Sequence, residues 1–222
     1  MIPANRGPCW WGCAFVRGRQ SKILIRIAQW IAPAGGTIGR QLATRETAVH
    51  ILGHYDILLR ARHTLLDWVR GLTAEQYRQE FPFGLGTVRA TLVHLAGSEW
   101  LHGKAARGED LTERRPFTAE RYPDFLSLEG DWRGLEASTR AWLESESDWA
   151  RPMETIARRG DGKLIRVGFT PETLAFQLFY HEVHHRAQVM AMLRQLGIAA
   201  EGLDFNRYAF RWTEPAPTLM RR

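Results

Sequence analysis

Cysteine is nearly absent from this chain: of 222 residues only Cys9 and Cys13 are present. Two cysteines so close together cannot close a disulfide framework across a fold, so a reducing compartment, the cytoplasm, is the expectation. The spacing Cys-Trp-Trp-Gly-Cys is not the two-residue spacing of redox or zinc motifs either. No run of 18 apolar residues occurs, so no membrane span is expected. The start, Met-Ile-Pro-Ala-Asn-Arg, lacks the charged-then-apolar order of a secretory signal. Acidic residues are missing from residues 1–40, which hold six basic ones: Arg6, Arg17, Arg19, Lys22, Arg26 and Arg40. Removing those six from a chain of net charge +6 leaves 24 Lys+Arg against 24 Asp+Glu in residues 41–222. The main body is therefore neutral and offers no basic face for nucleic acid; any contact with DNA or anionic lipid falls to the N-terminal segment. Internal repeats and low-complexity segments are also lacking.

What the chain has instead is a hydrophobic fraction of 45% and an aromatic fraction of 11%, the composition of a globular protein. Its length suits one domain with a sizeable core, or one domain with an appendage. The best boundary is Pro33-Ala-Gly-Gly36. Residues 1–40 read as a basic extension, either carrying a short amphipathic helix over 21–32 or poorly ordered, even the product of an upstream start. The folded body is then 41–215.

Within that body, apolar residues at helical spacing predict a helix over 46–71, ending at Gly71. Pro82 and nearby glycines predict a loop over 73–86. Thr87 caps a second helix running to about Arg107, a polar connection covers 108–122, and a third helix spans roughly 123–148. Asp161-Gly162 between two short apolar runs predicts a β-hairpin in 151–169. Thr170-Pro171 then opens a fourth helix that runs to Gly197. Four long helices with polar connections predict an all-α helical bundle with a small hairpin before the last helix. In that class metal ligands project inward from facing helices.

The chemistry concentrates in His181-Glu-Val-His-His185, followed by Arg186 and Gln188. At 100° per residue His181 and His185 differ by about 40° around the axis and share a stripe with Leu174, Gln188 and Met192, which points the pair inward. His184 stands about 60° away on the other side, so periodicity leaves His181 with His184 open as the pair. Two imidazoles are too few for a firm divalent site, and His94 on the second helix is the best third ligand. Glu99 lies about 140° round the helix from His94 and Glu182 about 100° from His181, so both point elsewhere. The spacing alone proves little, because His50 and His54 show it too. His63 and His102 read as solvated or hydrogen-bonded helix residues. The tryptophans and the Met190/Met192 pair read as core. Arg186 reads as the partner of a carboxylate in preference to an anchor for an anionic substrate.

The same five residues spell H-E-x-x-H, in which zinc hydrolases use the glutamate as general base. That signature helix normally follows a sheet whose edge binds peptide, and a short hairpin is the only strand signal here. The continuation Val189 to Arg194 supplies neither the Gly nor the His of metzincins. Glu201, the imaginable downstream ligand, lies beyond the helix end.

Thr91-Leu-Val-His-Leu-Ala-Gly-Ser-Glu99 together with Tyr180-His-Glu-Val-His-His-Arg-Ala-Gln188 resembles the DinB-like/YfiT-like superfamily. Leu203-Asp-Phe205 with Tyr208 looks like that family's closing segment, and Tyr55 with Leu58 to Leu66 like its first helix. Ala187 departs from the glycine usual after the arginine. The resemblance covers roughly residues 45–210. It implies an up-down-down-up four-helix bundle in which His94, His181 and His185 ligate a divalent metal ion (zinc, nickel or iron). It also implies a metal-dependent thiol S-transferase, or a hydrolase or detoxification enzyme, acting on a small-molecule thiol and an electrophile; a homodimer is compatible with it. The alternative is a stress-linked protein that holds metal or a small ligand without turnover.

Overall fold

The computed structural model describes residues 37–113, 116–158 and 161–213, with side chains from residue 50 onward. The expectations for residues 1–36, including the helix over 21–32, lie outside the described residues. Four long helices carry the fold: α1 (Thr37–Arg70), α3 (Val88–Ala106), α4 (Phe125–Ser145) and α5 (Pro171–Gln195). Between them lie a short α2 (Ala74–Arg78) and the strands β1 (Met153–Arg158) and β2 (Leu164–Phe169); a short α6 (Phe205–Ala209) follows. The described residues are thus mostly helical, with one small sheet. No helix among the described residues is long and apolar enough to cross a membrane.

Two departures from the predicted elements have local causes. Helix α1 starts at Thr37, before the predicted start at 46, and once a helix is nucleated each further residue adds at little cost. The segment predicted as a loop over 73–86 contains α2. Its Thr73-x-x-Gln76 is a reciprocal cap, with the Thr73 side chain accepting from the Gln76 N–H and the Gln76 side chain accepting from the Thr73 N–H. Pro82 and the glycines follow that turn rather than prevent it. The remaining predicted boundaries agree within a few residues. Asp161-Gly162 turns the hairpin with Gly162 at φ +84, and Ile156 pairs with Arg166. The connection over 108–122 is not merely polar: Leu111 is fully buried and its N–H donates to the Ile156 carbonyl at 3.0 Å, docking the connection on β1.

Helices α1 and α4, α4 and α3, α3 and α5, and α5 and α1 pack in a closed cycle. The apolar core inside that cycle is interrupted. On α1, Ile51, Tyr55 and Leu58 belong to one hydrophobic cluster, and Ala61, Leu65, Leu66 and Val69 to another. Arg62 stands between them, 1% exposed. The other helices break at the same level: Glu99 on α3, Glu136 on α4 and Glu182 on α5 each separate two apolar clusters. The Arg62 guanidinium meets Glu99 at 2.9 Å and Glu136 at 3.1 Å, and Nε donates to Glu182 at 3.1 Å. It also lies 4.7 Å from the centre of the Trp132 ring. Glu99 accepts from Tyr55 Oη, Trp132 Nε1 and Thr139 Oγ1 at 3.0, 2.7 and 2.9 Å. Burial opposes the Arg62 charge, but Glu182 and Glu99 outweigh it and hold the guanidinium protonated.

Replacing Arg62 with Met removes the shared counter-charge of three buried carboxylates, leaving Glu182 with Arg186 at 3.9 Å and Glu136 with His63 at 3.0 Å. The expected loss is about 3–5 kcal/mol in urea unfolding. A loss below about 1 kcal/mol would mean that the carboxylates are accommodated without the arginine.

Candidate metal centre

Helix α3 carries His94 and α5 carries His181 and His185 across the seam where these two helices pack. Both helices start at threonine caps. Thr87 Oγ1 accepts from Ala90 N–H at 2.9 Å, while Thr170 and Thr173 cap each other's N–H groups across the first turn of α5. Pro171 occupies the first position of α5, where no N–H is needed.

The three imidazoles converge. One ring nitrogen from each lies within 4.8 Å of the others. His94 Nε2 and His181 Nε2 are 3.0 Å apart, and the ring centres of His185 stand 4.7 Å from His94 and 4.6 Å from His181. His185 is buried, whereas His94 and His181 are half-buried, so the centre has a protein wall on one side and solvent on the other. Burial pushes His185 below the usual imidazole pKa, with His184 adding to the effect and the Gln188 hydrogen bond opposing it. A neutral ring with an available lone pair is the form that binds metal. His185 Nδ1 is 2.8 Å from Gln188 Oε1, and since that oxygen only accepts, Nδ1 carries the proton. The lone pair of His185 is therefore on Nε2. This donor set fits a divalent transition metal.

Other sequence candidates fall elsewhere. His184, left open by periodicity, is exposed, and its Nε2 lies 3.1 Å from the Gln188 amide nitrogen. Glu201 is exposed and paired with Arg207 at 2.7 Å. His63 bonds Glu136 at 3.0 Å. Glu99 and Glu182 point away from the imidazoles, as their angles on the helices require, and end on Arg62. Arg186 does approach a carboxylate, Glu182 at 3.9 Å, but its hydrogen bond is to the Leu203 carbonyl at 3.2 Å. Met190, Met192 and Trp132 are core, while Trp212 is 71% exposed.

Sequence reasoning missed Arg62 and one contact of Gln188. Arg62 had a signal, a charged residue inside the apolar stripe between Leu58 and Leu65. His102, read as a solvated or hydrogen-bonded helix residue, is hydrogen-bonded and buried, with Nδ1 2.6 Å from the Ser98 carbonyl and its ring 6.4 Å from His181. The contact between Gly84 and Gln188 had no signal, because it joins residues 104 positions apart.

An apolar groove of about 380 Å³ lies away from this centre. It is lined from α1 by Ile57 and Leu58, from α5 by Phe176 and Val183, and by Leu203 and Phe205 beyond. Its α5 residues occupy the side of that helix roughly opposite His181.

Fold and site together define a mostly helical protein with a three-histidine cluster able to hold a metal ion. Residues 47–216 match the model of the DinB family, and the chain belongs to that family. No curated protein matches it.

Thr87→Ala removes the cap that starts the His94 helix. An expected loss of about 1 kcal/mol is readable by urea denaturation. An unchanged midpoint would mean that the turn before the helix holds its start without the side chain.

Proposed function

We propose that the protein is a metal-dependent enzyme of the DinB family, a thiol S-transferase or related detoxification enzyme, with His94, His181 and His185 as metal ligands. The observation that carries this reading is the convergence of one nitrogen from each of these rings at the seam between α3 and α5. The helix cycle is read as the up-down-down-up four-helix bundle of the family, and residues 41–215 as its extent. Residues 1–40 are read as an appended basic segment.

Three neutral imidazoles leave a bound divalent cation (zinc, nickel or iron) its full charge, and such a cation brings a thiol or a water toward ionisation near neutral pH. The chain's own groups do the rest. His94 and His181, half-buried, form the side of the centre open to an incoming thiol and electrophile. His185, buried and neutral, forms the back, with its proton held at Nδ1 by Gln188. Three buried carboxylates are held on Arg62, away from the imidazoles.

That placement weighs against the zinc-hydrolase reading of His-Glu-Val-His-His. A general base there has to reach the reacting water, and Glu182 is buried on Arg62 instead. A second reading, a protein that binds metal or a small ligand without turnover, draws on the apolar groove, whose volume suits a small molecule and whose lining includes none of His94, His181 and His185.

The purified full chain is expected to carry close to one divalent ion per molecule by elemental analysis, lost in each of His94→Ala, His181→Ala and His185→Ala. Chelator-sensitive, thiol-dependent consumption of an electrophile is expected alongside. Metal without turnover across several thiols would favour the binding reading. Metal retained in His94→Ala but lost in Glu201→Ala would revive the hydrolase.

A further inference from the structure

The carboxamide of Gln188 is held on three sides. Its Oε1 accepts from His185 Nδ1 at 2.8 Å, and its Nε2 donates to His184 Nε2 at 3.1 Å. Against it lies Gly84, in the left-handed region at φ +58. A Cβ at Gly84 would fall 2.9 Å from Gln188 Oε1 and 3.1 Å from Cδ, so the carboxamide would have to shift to make room for it. The turn carrying Gly84 is closed by Phe81 N–H to the Gly86 carbonyl at 2.7 Å and Gly86 N–H to the Phe83 carbonyl at 3.1 Å. It runs directly into Thr87, the cap of the helix that carries His94. One amide therefore touches both the buried ligand candidate on α5 and the turn that launches α3.

A neutral imidazole has two tautomers, and only the one protonated at Nδ1 leaves the Nε2 lone pair of His185 for the centre. The other tautomer would present an N–H there. We propose that Gln188 is the positioning residue of the histidine centre. Its carbonyl holds the His185 proton on Nδ1, and the missing side chain at Gly84 leaves the gap in which its carboxamide stands. This rests on the reading that the three histidines hold a cation. Outer hydrogen-bond partners of ligating histidines commonly change metal affinity 10–100-fold when removed.

The test uses the full-length protein and two readouts. The first is the His185 tautomer in the metal-free protein, from long-range proton–nitrogen NMR above pH 8. The second is Co(II) affinity, by competition with a chromophoric chelator. Wild type is expected to show His185 protonated at Nδ1. Gln188→Leu, of similar bulk but without the acceptor, is expected to lose that tautomer preference and to bind Co(II) 10–100-fold more weakly. Gln188→Glu keeps the acceptor and is expected to restore both. Gly84→Ala is expected to displace the amide and fall between wild type and Gln188→Leu in both readouts.

Wild-type affinity and tautomer in Gln188→Leu would overturn the proposal while leaving the metal reading intact. Failure of Gln188→Glu to restore either readout would also overturn it, since packing alone would then explain the leucine variant. If Gly84→Ala behaved as wild type, the role given to Gly84 would be overturned. A wild type with the Nδ1–H tautomer but no Co(II) binding would instead sink the metal reading and leave the positioning of His185 supported.

Discussion

The Arg62 guanidinium, 1% exposed, is bonded to carboxylates from three other helices, and the rest of the molecule is arranged around that fact. Burying an arginine is unfavourable unless opposite charges and hydrogen bonds replace the lost water. Here each long helix contributes: α1 the cation, and α3, α4 and α5 one glutamate each. Each glutamate is held in turn, Glu99 most completely, by a tyrosine, a tryptophan and a threonine. Apolar contacts tolerate small sliding and rotation of helices, whereas a charged layer satisfied in one register does not. The layer therefore sets where the four helices stand along and around their axes.

That setting reaches the histidines through α5. Glu182 is committed to α1 through Arg62, and its neighbour His181, about 100° round the helix, faces α3 and His94. His185, one turn on, follows the same stripe. On α3, Glu99 and His94 are likewise separated by about 140° and serve the two different seams. The ionic layer and the histidine cluster are thus two sides of the same pair of helices. Charge is concentrated on one side and the imidazoles on the other, and the glutamate of His-Glu-Val-His-His lies on the charged side, bonded to Arg62.

Outside the helices, small segments adjust the site. The turn before α3 brings Gly84 against Gln188, and the closing segment after α5 is tied to Arg186 through the Leu203 carbonyl. The hairpin and the 108–113 connection dock on each other through Leu111. They cover Leu101 and Ala105 at the end of α3 with Leu111, Ala157 and Ile165 rather than contributing to the centre.

Sequence by itself determined the long helices, their caps at Thr87 and Thr170, the hairpin at Asp161-Gly162, and the stripe that carries His181 and His185. All of these rest on local rules: periodicity, capping and turn conformation act within a few residues. His94 was reachable as a third donor because its helix and its motif were legible. Tertiary structure alone decided that His184 stands outside the three-histidine cluster and that His63 serves Glu136. It also decided that Arg62 gathers three glutamates and that Gly84 stands against Gln188. These are contacts between residues tens of positions apart. Which side chain meets which depends on how the helices are rotated against one another, and the buried charges set that rotation through a balance of desolvation and pairing that no single segment carries.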